Sequence, residues 1–148
     1  MSKYRTAIAA CALLVTAALP AAQPPRPDAD ISGQYSFLHE GEYVQIAVQG
    51  ERVTGFVSRL GETEFDRDVH LDHSIVNGTL HGRQMSFGTT ELHAIWFEFA
   101  GQVQRGPAKT RAQEGFYVLQ GILKRHTSDA EHRERVESRE VTFRLQSE

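Results

Sequence analysis

The sequence predicts an all-β protein, a single antiparallel up-and-down barrel of about eight to nine strands. Apolar and polar residues alternate at period two along most of the chain beyond residue 30. Turn signals built on Gly, Asn and Asp recur roughly every ten residues, and no stretch beyond residue 22 sustains a helical period. Meander order with short turns favours a closed sheet. A β-sandwich is the alternative, because alternation alone does not separate one closed sheet from two stacked ones.

The chain opens with a cationic start containing Lys3 and Arg5, an uncharged apolar stretch from Thr6 to Leu19, and small residues at Pro20, Ala21 and Ala22. This is the anatomy of a cleaved secretory signal over residues 1–22, which places the protein outside the cytosol, secreted or periplasmic. The apolar stretch is shorter than the ~20 residues of a spanning helix, so no stable membrane anchor is expected. Cys11, the only cysteine, sits inside that stretch with Leu13, Leu14 and Leu19 beyond it, and reads as part of the signal. Cleavage after Ala22 leaves a chain without thiols, which excludes disulfides, thiolate nucleophiles and cysteine metal sites. It also leaves 14 basic residues against 19 acidic ones, a net charge of −5 with His neutral, which argues against nucleic acid as a partner.

Residues 23–30 are rich in Pro and poor in apolar side chains, a semi-extended spacer. One domain, 31–148, follows. Ile31 to Phe37 alternates as a first strand. Tyr43 to Gln49 is a second, with Val44, Ile46 and Val48 on one face, and Gly50-Glu51 suits a two-residue hairpin turn. Arg52 to Leu60 returns, with Gly55 marking a bend or bulge. Phe65 to His73 alternates again, and a tight hairpin is expected at Gly82, with Asn77-Gly78 as the competing turn. Leu92 to Val103 is the most apolar and aromatic stretch outside the N-terminus, and so the central strand. Ile95, Phe97, Phe99 and Val103 share one face, and Leu92, Ala94, Trp96 and Glu98 the other. A polar loop spans 105–114, Gly115 to Lys124 is the natural partner of the central strand, and 126–140 reads as an exposed charged hairpin tip before a last strand at Val141, Phe143 and Leu145.

Asp66, Asp68, His70 and Asp72 would all point to one side of a strand, a polar face rich in oxygen ligands for a divalent cation. Successive residues about 6.5–7 Å apart are too widely spaced to reach one ion, and the residues that make a calcium-binding loop are missing, so the expectation is a solvated face and no metal. No nucleophile motif stands out and no cofactor is expected. Trp96 and Glu98 share a face that Tyr117 on the partner strand would approach. If that face lined the interior, it would offer an aromatic wall and one carboxylate to an amphipathic ligand, or a general acid in Glu98.

The Gly33-Gln34-Tyr35 start, the hairpin from Gly78 to Phe87 and the meander order resemble small lipocalin-like (calycin) barrels. The runs Val53 to Gly61 and His93 to Phe99 resemble a group of small secreted bacterial β-proteins of unknown function, a likeness that covers most of the domain and implies no catalytic motif. Tyr35 stands where a lipocalin has its first-strand tryptophan, and the lipocalin disulfides are absent. The resemblance implies a non-enzymatic barrel that binds a small apolar or amphipathic molecule. The residues leave two other readings: a protein-interaction module acting through the charged segments 105–114 and 126–140, and an enzyme using Glu98.

Overall fold

A computed structural model describes residues 30–147. The signal assigned to 1–22, and all but the last residue of the spacer, lie outside them. Eight strands follow one another: β1 (Gly33–Ser36), β2 (Tyr43–Gln49), β3 (Arg52–Leu60), β4 (His70–His81), β5 (Gln84–Thr89), β6 (Ile95–Arg105), β7 (Tyr117–Ser128) and β8 (Glu134–Arg144). Each pairs antiparallel with the next, in the order β1 to β8. The sheet curls until Tyr35 bridges to Leu145 and the Gln146 amide bonds Gln34 O, at 2.8 Å. This is an up-and-down barrel, closed at one end of β8 and open along the rest of that strand. One continuous sheet disposes of the sandwich.

Turn chemistry explains the meander. Gly50 takes a positive φ of 63° at the first position of the β2–β3 turn, as a type II′ turn requires. Gly82, at 61°, does the same between His81 and Gln84. Asn77-Gly78, the competing turn, lies inside β4 as a bulge: Asn77 has φ 53° and the β4–β5 register shifts between Val76 and Thr79. Gly55 marks the matching irregularity in β3, where a Cβ would lie 1.9 Å from Gln45 O.

The core forms on the inner face. Tyr35, Val44, Ile46, Val57, Phe97, Phe99, Leu119, Leu123 and Phe143 are each at most 2 % exposed. Rings meet across the interior, Phe37 edge-on to Phe97 at 5.3 Å and Phe99 stacked on Phe87 at 5.3 Å. Of the two faces of the central strand, the one carrying Phe97, Phe99 and Val103 turns inward and is buried. Three boundaries differ from expectation. The central strand starts at Ile95, because His93 and Ala94 take positive φ and turn the chain. Residues 62–68 form turns, not strand, with Asp68 at φ 64°. The segment 126–140 is mostly paired β-structure: β7 and β8 keep eleven consecutive pairs, from Val118–Arg144 to Ser128–Glu134, leaving only 129–133 as the tip.

Candidate functional site

Trp96 and Glu98 lie on the outer face, since Phe97 and Phe99 between and beside them point inward. Tyr117 is 4 % exposed on the inner face and pairs with Arg105, at the far end of β6. The structure therefore does not bring the three together, and the interior wall expected of them does not form. Trp96 instead stacks on its cross-strand neighbour His126, with centroids 5.0 Å apart and planes 13° from parallel. The His126 ring is held at both ends, Nε2 to Glu98 Oε2 at 3.2 Å and Nδ1 to Glu134 Oε1 at 2.5 Å. Lys124 stands 4.0 Å from the same Glu98 oxygen. This cluster fastens the tip end of the β7–β8 ribbon to the start of β6.

Trp96 is half-buried, and its chief ordered contact is the His126 stack. Trp96→Ala should then cost about 0.5–2 kcal/mol in a denaturant titration, the scale of an aromatic pair plus partial burial, and not the ~3–5 kcal/mol of a core aromatic.

The aspartate series disperses. Asp66 turns back to accept from Thr63 N at 2.7 Å and Thr63 Oγ1 at 2.6 Å, bonds that hold its carboxyl below the ordinary value, and it also meets His93 at 3.1 Å. His70 bonds Ser58 Oγ at 3.0 Å. Only His70 and Asp72 of the four are in a strand, so the one-sided array that equal spacing suggested is not built. Among the described residues no three His, Cys, Asp or Glu converge on a point where a metal ion could sit.

Two residues not singled out from the sequence, Arg59 and His73, form a buried polar network at one end of the barrel. Arg59 shares the inward parity of Val57 within β3, which was the available signal, while His73 faces inward because it pairs with Val57 across β3–β4. Arg59 Nε donates to His73 Nε2 at 2.9 Å and Nη1 to Leu60 O at 3.2 Å. With Nε2 accepting, His73 Nδ1 carries the proton and donates to Thr90 O at 3.1 Å. Burial, and the guanidinium beside it, push the imidazole below its ordinary value; burial also lowers that of Arg59. Glu42, 6 % exposed, accepts the amides of His39 and Leu60, both at 3.1 Å. Arg125 clamps both oxygens of Glu62, at 2.8 and 2.7 Å. Among the described residues no buried side-chain nitrogen or oxygen lacks a partner. Both nitrogens of His73 are engaged and the ring is sealed against Phe97, so the network caps the core and presents no base to a substrate.

Among the described residues, shallow cavities lie at the seam and on the outside of the sheet. One of about 400 Å³ sits where Arg111 reaches the β1–β8 seam beside Gly33 and Leu145. Another of about 350 Å³ lies over Ala100 and Ile122, between Glu98 and Lys124. A further one, about 260 Å³, lies over Gln120, Ile122 and Glu140 on the β7–β8 ribbon.

No family model, curated protein or solved structure matches the chain.

The most exposed feature of the fold is the ribbon itself. Every residue from Glu134 to Glu140 is exposed, on both faces of the strand, and charges of both signs alternate along it in Glu134, Arg135, Glu137, Arg139 and Glu140. No helix among the described residues is long and apolar enough to cross a membrane.

Proposed function

We propose that this is an exported, non-enzymatic protein-interaction module whose recognition surface is the exposed β7–β8 ribbon at the edge of the sheet. The observation that supports this is the contrast between an inner face packed with aromatic and aliphatic side chains and a strand segment exposed on both sides. A structure that orders six charged or polar residues and Val136 without covering them leaves this segment to meet another surface. Photo-crosslinking side chains placed one at a time at Val136, Thr110 and Phe65 test it. In extracts of the native host, protein adducts should form from position 136 and not from the other two. Adducts confined to position 110 or 65 would sink the ribbon as the recognition surface.

The outer depression beside Glu98 favours a second reading, a small amphipathic ligand held against Ile122 and Ala100 with a polar group between Glu98 and Lys124. Ile122 is 41 % exposed there, an apolar contact awaiting cover. Trp96, on the same face, would report such binding by a saturable change in emission with fatty acids or apolar probes. An emission unmoved by that panel would remove this reading.

A further inference from the structure

The backbone of β8 carries a free edge. Leu145 N bonds Tyr117 O at one end of the ribbon, and Asp129 N bonds Arg133 O at the other, so odd-numbered residues of β8 face β7. Arg144 N and Gln146 N point the opposite way, to Ser36 Oγ and Gln34 O of β1. By the alternation of an antiparallel ladder, the amides and carbonyls of Glu134, Val136, Ser138, Glu140 and Thr142 face away from β7. β1 is four residues long and does not reach them, and among the described residues none of these groups has a backbone or side-chain partner. Two of the devices that blunt an edge, a bulge and a proline, are missing. The β7–β8 register runs without a bulge and the strand contains no proline. What it has is charge, and charge of both signs.

We propose that this edge pairs with the same edge of a second copy, making a two-fold dimer with one sheet running through both barrels. This rests on the ribbon being the recognition surface, and names its partner. The sequence is self-complementary in one register. A two-fold axis through Ser138 sets all five outward-facing residues in hydrogen-bonded pairs: Glu134 with Thr142, Val136 with Glu140, and Ser138 with itself. Each pair exchanges two bonds. On the inner face it sets Glu137 of each copy opposite Arg139 of the other, and Arg135 opposite Val141. Moving the axis to Glu137 would oppose Glu137 with itself, Arg135 with Arg139 and Glu134 with Glu140. Moving it to Val136 would oppose Arg133 with Arg139 and leave Thr142 unpaired. Like charges directly opposite disfavour those registers and unrelated strands, while the alternation of signs admits one.

Sedimentation of the purified chain over a range of concentrations tests this. The mass should rise towards twice that of the monomer. Ser138→Pro removes an amide that faces away from β7 and should leave the protein monomeric with an unchanged circular dichroism spectrum. Glu137→Arg and Arg139→Glu should each be monomeric alone, because each opposes like charges. Mixed in equal amounts they should form a dimer, since one copy then presents two arginines and the other two glutamates. A wild-type chain that stays monomeric throughout, a dimer that Ser138→Pro leaves intact, or a mixture that fails to associate overturns the proposal. Crosslinks from position 136 to a different protein would then show the ribbon reading standing without self-pairing. If Ser138→Pro fails to fold, the charge pair decides alone.

Discussion

Phe99→Ala is expected to be the most damaging single truncation, lowering stability by about 3–5 kcal/mol. The Phe99 ring is 2 % exposed and lies between Phe87, stacked at 5.3 Å, and Phe143 at 5.7 Å. It also covers Gly101, where an added Cβ would stand 2.7 Å from its Cζ and 2.3 Å from Gln120 O. No neighbour can fill the void. The backbone of Gly101 is pressed against Gly121 across the strand pair, and a Cβ at Gly121 would be 2.5 Å from Gly101 Cα, so a side chain gained at either glycine collides with main chain. The loss would remove a large part of the ~5–15 kcal/mol typical of a domain and lower the melting temperature by roughly 10–20 °C. Calorimetry of the variant checks it. A loss under about 1 kcal/mol would mean that the inner face is not packed as described.

The alternation that identified a barrel sorted its strand residues into two faces, because the pleat sends successive side chains to opposite sides, but it did not say which face of the central strand lies inside. Phe97, Phe99 and Val103 could be placed on one face that way. Parity failed where the chain leaves the pleat. His93 and Ala94, at φ 52° and 58°, break the phase before Ile95, so Leu92 and Ala94 do not flank Trp96 as strand neighbours. Alternation of Phe65, Val69 and Leu71 with the aspartates suggests one polar face, yet Phe65 is 99 % exposed at a turn. The charged run 126–140 suits a solvent-exposed tip by composition. Its residues do face solvent, but as a two-stranded ribbon whose backbone bonds satisfy a polar sequence as well as an apolar one. Joining Trp96 and Tyr117 needed the partner-strand register, which composition does not encode: Trp96 meets His126 and Tyr117 meets Arg105.

Stability should fall on the acid side through His73. The ring has 0 % exposure and is neutral in the native state, with burial the largest cause holding its protonation below the ordinary 6.5; the bond to Thr90 O opposes it, and the Arg59 guanidinium adds to the lowering. Protonation would place a second proton on Nε2, which accepts from Arg59, and bring two cations together in the core. Above pH 6.5 the unfolded and native chains both hold His73 neutral, and the site contributes no pH dependence. Below it the unfolded chain binds a proton that the native chain refuses. Stability therefore drops by up to about 1.4 kcal/mol per pH unit until the native value is reached, where the ring protonates or the chain unfolds. His73→Gln keeps an acceptor for Arg59 and a donor for Thr90 O while removing the titration. The difference in unfolding free energy between wild type and this variant, followed from pH 8 to pH 4.5, should be constant at the neutral end and shift in favour of the variant below about pH 6.5, other titrating groups contributing to both chains alike. A difference that stays flat across the range would mean that His73 is not the neutral acceptor for a buried guanidinium.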